Sequence, residues 1–272
     1  MRSIAFINEK GGSLKTTLSV HTAAFFAAKG KRVLLIDMDP QGQAGKSLGI
    51  SHLQTGYTLM EFIETPMLTV EKCAQPTAIK NLWVLPTDKS LSRFPETFSA
   101  HKKREWILSH RLGPTRDQNS SFDIYIFDTP PSLGLMTTNI ILAATEIVIP
   151  VPLTYLAMDG CAEMVRTIEN IIDVYEKHDL AITKVVPTLY RKTKMADEIL
   201  QTLKKFFGKK LSNTLITYNV KIDEAQSHGK TIWQYAPSNN GAQMMTELCQ
   251  EIYHSKQIRT QTRSEIPSEM NA

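Results

Sequence analysis

The chain has 272 residues, 42% of them apolar, and 31 Lys and Arg against 27 Asp and Glu give a formal net charge of +4. That length and apolar content can bury a large core in one or two domains, and the charge is so modest that its placement matters more than its size. Cys73, Cys161 and Cys249 are too far apart for a Cys-x-x-Cys pair, the seven histidines lack ligand spacing, and neither a secretory leader nor a run of ~20 apolar residues is visible, so a soluble intracellular protein without a zinc or redox centre is expected.

In chain order, Ser3-Ile4-Ala5-Phe6-Ile7-Asn8 reads as a buried strand, and Leu18, Ala23, Phe26 and Ala27 mark the apolar face of a helix ending before Gly30. Between them stands Lys10-Gly11-Gly12-Ser13-Leu14-Lys15-Thr16-Thr17. A loop between a strand and a helix N-terminus offers unpaired N–H groups and the positive end of the helix dipole, and both favour phosphate. Gly11 and Gly12 let the backbone approach phosphate oxygens, Lys15 reaches the β- and γ-phosphates, and the Thr16 hydroxyl serves Mg²⁺. The alternative is a surface loop with two glycines and two lysines. The ordinary phosphate-binding loop, Gly-x-x-x-x-Gly-Lys-[Ser/Thr], has glycine where this chain has Glu9 and Leu14. A Cβ at position 14 either crowds a phosphate or occupies a left-handed conformation at ~1–2 kcal/mol, so weakened nucleotide binding and turnover are expected.

The next segment, Arg32-Val33-Leu34-Leu35-Ile36-Asp37-Met38-Asp39-Pro40-Gln41-Gly42, reads as a central parallel strand that delivers carboxylates at its C-terminal end, where α/β sheets place ligands. Asp37 is placed nearer the metal and Asp39 is the candidate for orienting the attacking water; a turn or helix-capping aspartate is the alternative. After a polar loop over 114–121, Phe122-Asp123-Ile124-Tyr125-Ile126-Phe127-Asp128 is a second strand ending in an acid. Asp128 is thereby the carboxylate expected to hold Mg²⁺ directly or through water. Further apolar runs at 81–85, 147–151, 184–189 and 214–220 alternate with helical stretches, the pattern of a parallel sheet covered on both faces. One domain over 1–253 and a flexible polar tail over 254–272 are expected.

Lys10, five residues before Lys15, makes the loop resemble the deviant Walker A motif of the ParA/MinD family of ATPases. Asp37-Met38-Asp39-Pro40-Gln41 is similar to that family's switch I, and Asp128-Thr129-Pro130-Pro131-Ser132 to its switch II. Asn219-Val220-Lys221-Ile222-Asp223-Glu224-Ala225, with Gly229-Lys230-Thr231-Ile232, resembles its C-terminal signature, where the position of Lys221 is commonly arginine. The likeness runs over residues 2–252 and is to the ParA/Soj-type partition ATPases.

The resemblance implies a P-loop NTPase-like α/β fold, with a mostly parallel twisted sheet and helices on both faces. It implies MgATP held by Lys10, Gly11, Gly12, Ser13, Leu14, Lys15, Thr16 and Thr17, with Thr16, Asp37 and Asp128 toward the metal and Lys10, Lys15 and Asp39 in catalysis. ATP would join two subunits in a homodimer, each Lys10 reaching the partner's nucleotide. Hydrolysis, stimulated by a ParB-like or other cargo protein, would release monomers, so that a chromosome, plasmid or other cargo is positioned by a cytoplasmic, nucleoid-associated protein.

Arg191, Lys192 and Lys194, the basic run over 204–210, and Lys221 concentrate positive charge in the C-terminal third. Such clusters bind duplex phosphate without sequence preference, although lysines as often form solvated helix faces. The resemblance implies a nonspecific DNA surface of Arg191, Lys192, Lys194 and Lys221. Two other functions fit less well. Leu14 motivates a ParA-like adaptor with little or no hydrolysis. A MinD-like membrane regulator needs an amphipathic C-terminal helix, whereas 254–272 offers only Ile258, Ile266 and Met270 around Pro267, so no membrane partner is expected.

Overall fold

Strands built from unbroken Val, Ile, Leu and Phe must be covered on both faces, and the alternation of side chains along them decides which helices do the covering. The computed structural model describes residues 2–50, 56–113, 121–154 and 157–255. Its strands are β1 (Arg2–Phe6), β2 (Val33–Asp37), β3 (Gln75–Pro76), β4 (Leu82–Leu85), β5 (Ile124–Asp128), β6 (Glu146–Pro152), β7 (Ala181–Tyr190) and β8 (Ile216–Thr217). They form one eight-stranded sheet in the order β3-β4-β2-β5-β1-β6-β7-β8. All pairings are parallel except that of β3, a short edge strand antiparallel to β4 that no sequence pattern announced.

The connecting helices are α1 (Lys15–Ala28), α2 (Gln43–Lys46), α3 (Leu59–Glu64), α4 (Val70–Cys73), α5 (Phe94–Thr97) and α6 (Ile107–Leu112). They continue with α7 (Leu135–Ala143), α8 (Ala157–Val174), α9 (Lys194–Phe207), α10 (Val220–Ser227), α11 (Ile232–Tyr235) and α12 (Asn240–His254). Along β1, Ile4 and Phe6 enter one core with Leu18 and Phe26 of α1, Ile222 of α10, Ile232 of α11 and Met245 and Leu248 of α12. Ala5 turns to the opposite core with Phe62 of α3, Leu108 of α6, Ile141 of α7 and Met164 of α8. The first strand and the last helix are tied by Arg2, which pairs with the buried Glu146 at 2.6 Å and donates to the terminal carbonyls of Ile252 and Tyr253. A cation at a helix C-terminus satisfies carbonyls that have no intrahelical partner.

Helix α1 stops where the sequence suggests, with Gly30 at φ 82 and its N–H on the Ala27 carbonyl at 2.9 Å. The run over 214–220 is a correction. Only Ile216 and Thr217 pair as strand, because the Asn219 side chain accepts the Lys221 N–H at 3.0 Å and starts a helix at Val220. Residues 114–120 of the expected polar loop and 256–272 of the expected tail lie outside the described residues, and His254 closes α12.

Candidate functional site

The parallel register gathers three strand ends. Phe6 stands opposite Asp128, and Asp128 opposite Asp37. The loop leaving β1 and both carboxylates therefore share one end of the sheet. Asn8 turns the chain out of the strand: its Nδ2 donates to the Pro150 carbonyl at 2.6 Å and its Oδ1 accepts the Lys10 N–H at 2.8 Å. Gly11 and Gly12 follow on the surface, Gly12 at φ 72. Among the described residues, no backbone N–H of residues 11–14 donates to another protein group, and the buried Ser13 Oγ has no hydrogen-bond partner. Donors of this kind at the start of a 14-residue helix form an anion cradle.

Leu14 is the N-cap of α1 at φ 71 and ψ 22, and its carbonyl accepts the Leu18 N–H at 2.9 Å. It makes no side-chain cap, and the half-buried side chain packs against the core beneath α1. The structure thus contains the second of the two expected penalties, the left-handed backbone of a residue with a Cβ.

Lys15 is 7% exposed, and its Nζ donates to the Lys10 carbonyl at 3.2 Å. Burial lowers its pKa, while Asp128 and Asp39 pull it back up. The Thr16 hydroxyl donates to Asp128 Oδ2 at 2.8 Å, and Asp128 Oδ1, buried, has no partner. Burial pushes the Asp128 carboxyl up to about 7, against the hydroxyls of Thr16 and Ser19 and the charge of Lys15. Asp37, fully buried, accepts N–H groups from Gly45 at 3.1 Å and Asp39 at 3.3 Å. Burial first and the Asp128 charge second raise it well above the carboxylate range. Asp39 is half-exposed and accepts the Gln41 N–H at 2.9 Å, so it also makes the turn contact of the alternative reading. Two carboxylates crowded at adjacent strand ends, one with a buried oxygen lacking a partner, fit a cation. With the Thr16 hydroxyl, Asp37 and Asp128 are the residues that could hold Mg²⁺.

Lys10 is exposed and its Nζ donates to Thr154 Oγ1, just beyond β6, at 2.9 Å. Thr17 Oγ1 donates to Gln226 Oε1 of α10 at 3.1 Å. Behind the loop, His21 is fully buried, with Nδ1 2.7 Å from the Thr17 carbonyl and Nε2 accepting the Ile232 N–H at 3.1 Å. An accepted N–H requires a lone pair on Nε2, which fixes the neutral tautomer, and burial lowers the His21 pKa to about 4. Sequence reasoning missed Thr154, Gln226 and His21. For His21 the available signal was its spacing of four from Thr17 on α1; for the other two there was none.

Tyr190 pairs with Thr217, so the segments leaving β7 and β8 carry Arg191, Lys192, Lys194 and Lys221 at neighbouring strand ends, on the same end of the sheet as the loop. All but Lys221, which is half-buried, are exposed. Lys194 approaches Glu198 at 3.8 Å, and Lys221 pairs with Glu224 at 2.7 Å, a carboxylate that also accepts the Tyr235 hydroxyl at 3.0 Å. The run over 204–210 begins in the last turn of α9, ten residues after Lys194, which is about 15 Å of helix. The C-terminal basic charge is therefore two patches.

A family model described as an AAA domain matches residues 1–182. The chain is 32% identical over 252 residues to the chromosome-partitioning ATPase Soj of Treponema pallidum, covering 92% of this chain and 96% of that protein. It is 34% identical over 250 residues to the sporulation initiation inhibitor protein Soj of Bacillus subtilis, covering 92% and 97%. Among solved structures it is similar to cobyrinic acid a,c-diamide synthase from Mycobacterium smegmatis with bound ATP analog and magnesium, at TM-score 0.77 and 25% identity, over 93% of this chain and 94% of that one.

Proposed function

The chain belongs to the ParA/Soj-type ATPases, and from that premise we propose that it is a Mg-dependent ATPase that forms an ATP-bound homodimer on nonspecific double-stranded DNA and positions a chromosome, plasmid or other cargo. The observation that carries this reading is the convergence of the loop, Asp37 and Asp128 at three neighbouring strand ends, with Ser13 Oγ and Asp128 Oδ1 buried and unpaired. The cobyrinic acid a,c-diamide synthase, with its ATP analog and magnesium, supports the same ligands here.

In this reading residues 11–17 cradle the phosphates through backbone N–H groups, and Lys15 places its ammonium against them. Mg²⁺, held by Thr16, Asp37 and Asp128, would neutralise charge on the phosphate oxygens. Asp39, exposed enough to reach solvent, orients the attacking water. Lys10 leaves Thr154 to reach the nucleotide of the partner subunit, supplying a charge that one subunit lacks. Arg191, Lys192, Lys194 and Lys221 meet duplex phosphates. A ParB-like or other cargo protein stimulates turnover, residues 1–253 act as the functional unit, and the protein works at the nucleoid. Turnover by the chain alone is weak, because Leu14 fixes a position that glycine would leave free to adjust as charge develops. That same residue favours a second reading, an adaptor that binds ATP with little hydrolysis.

The test is equilibrium MgATP binding with sedimentation, on the wild type and Lys15→Ala. Loss of a charge-assisted phosphate contact is expected to weaken binding about 10- to 100-fold. Equal affinity in the two proteins would remove the reading.

A further inference from the structure

Helix α10 and the chain that follows it into α11 are hooked onto the loop end of the molecule at three points. The Gln226 carboxamide accepts from the Thr17 hydroxyl at 3.1 Å and donates through Nε2 to Ser47 Oγ at 3.3 Å. Ser47 directly follows α2: its own hydroxyl donates to the Gln43 carbonyl at 2.8 Å, and the N–H of Gly45, two residues earlier, holds Asp37. One side chain on α10 thus joins the phosphate-binding loop to the segment that restrains a buried carboxylate. At the second point Gly229, at φ 64, lies so near Gly49 that a Cβ there would stand 2.8 Å from its Cα and 2.9 Å from its nitrogen. The third is the Ile232 N–H on His21.

These attachments differ in kind. Close backbone packing at Gly229 and a fully buried imidazole are fixed by the core around them. The Gln226 contact joins a half-buried amide to two hydroxyls that rotate, and one of these belongs to the loop itself. A threonine hydroxyl has one proton to donate. A phosphate that takes the Thr17 proton withdraws it from Gln226, whose oxygen must then find another donor, and the amide turns. Lys221 stands five residues earlier on the same eight-residue helix.

We propose that Gln226 is a positioning residue that couples occupation of the phosphate-binding loop to the orientation of α10, and through it to the duplex affinity of Lys221. The proposal rests on the nucleotide and DNA reading above and adds the route by which one site is felt at the other. A packed intermediary is only a candidate until a change there alters the coupling and leaves each binding event intact.

The experiment uses the full chain, MgATP and a short duplex of arbitrary sequence, with wild type, Gln226→Leu, Ser47→Ala and the double variant. In the wild type, MgATP is expected to raise duplex affinity by about 10-fold or more, and duplex to raise MgATP affinity by the same factor. The variants should bind MgATP alone and duplex alone within about twofold of wild type, while the mutual enhancement falls to about threefold or less. The double variant should be no worse than either single one, because one bridge is lost only once. Ser47→Ala keeps the Thr17 contact and carries the test if Gln226→Leu fails to fold. A responsive wild type with equally responsive variants would overturn the coupling alone. A wild type without MgATP binding or without enhancement would remove the proposed function, and this coupling with it.

Discussion

Replacing Leu14 by glycine and by alanine separates the backbone of the loop from its side chain. The left-handed conformation at φ 71 is the one in which the Leu14 carbonyl accepts the Leu18 N–H and starts α1, so it persists wherever α1 is folded. Strain common to free and bound protein cancels in a binding constant and is felt in stability instead. An L-residue in this region costs ~1–2 kcal/mol relative to glycine. Against that, a half-buried leucine contributes about 1 kcal/mol of apolar burial, and glycine gives back about 0.5 kcal/mol through a freer unfolded chain. Leu14→Gly is therefore expected near neutral in stability, whereas Leu14→Ala loses the burial and keeps the strain, at about 1 kcal/mol destabilising. The order of the two variants is the diagnostic: glycine above alanine by about 1 kcal/mol, or about 2–4 °C in Tm, the reverse of the usual ranking in which glycine is the poorer. Thermal and urea unfolding read the order, and equilibrium binding should put MgATP affinity for all three proteins within about threefold, leaving turnover as the quantity free to rise in Leu14→Gly. Alanine above glycine would refute the strain argument. A tenfold or greater gain in affinity on Leu14→Gly alone would mean that the side chain crowds a phosphate.

Lys10→Ala should leave MgATP binding measurable and abolish the ATP-dependent dimer in sedimentation; a variant that still dimerises with ATP refutes the role across the interface. Lys221→Glu should weaken binding to unrelated duplexes about equally and lower the salt slope by about 1, since a phosphate contact carries no base information. Glu224→Gln, which frees Lys221 from its partner at 2.7 Å, should act in the opposite direction, and an unchanged duplex affinity in both would move the basic surface to Arg191, Lys192 and Lys194. His21 gives a pH dependence: burial holds its folded pKa at about 4, against 6.5 for an ordinary histidine, so the unfolded chain binds more protons between those values. The stability is present above pH 6.5 and lost as pH falls toward 4, by about 3 kcal/mol in all. Burial raises Asp37 and Asp128, which titrate with the opposite sign across the same window, so the difference in stability between wild type and His21→Gln, read by urea denaturation, should carry the slope; parallel pH profiles for the two proteins would refute it.

What the sequence made legible is what depends on residues close together in the chain. A glycine pair and Lys15-Thr16 between strand and helix, and acids closing the apolar strands at Asp37 and Asp128, each carry their chemistry within about ten residues, and each stands at the expected strand end. The order of the strands is a different matter. That β5 lies between β1 and β2, and so brings Asp128 against Asp37, follows from packing choices summed over the whole sheet. Gln226 meets Thr17 across 209 residues and Lys10 meets Thr154 across 144, single polar contacts that leave no periodicity to read. The run over 214–220 misled because an apolar stretch does not distinguish a strand from a helix start, and the Asn219 cap decided for the helix. The basic residues at 191–194 and 204–210 both fall in the C-terminal third of the sequence, and only the structure shows that α9 holds them apart, Lys194 in its first turn and Lys204 in its last.

The register that makes the candidate site also sets its energetics. Paired residues of neighbouring parallel strands direct their side chains to the same face, so Asp37 and Asp128 share one low-dielectric space, and burial raises both carboxyls. Such an arrangement opposes folding at neutral pH, since the unfolded chain ionises these groups freely while the folded chain resists. The hydrogen bonds from Gly45, Asp39 and Thr16 offset part of this, and the ammonium of Lys15 acts in the same sense on Asp128. Asp128 Oδ1 is left with no partner, and for a buried carboxylate oxygen the compensating group has to be positive or a donor. A divalent cation meets that requirement for both acids at once, so its binding would stabilise the fold as well as the nucleotide. On this argument Asp128→Asn raises thermal stability while removing metal-dependent nucleotide binding, which calorimetry with and without MgATP reads directly. A variant less stable than the wild type would mean that the Thr16 and Lys15 contacts already outweigh the burial of the charge.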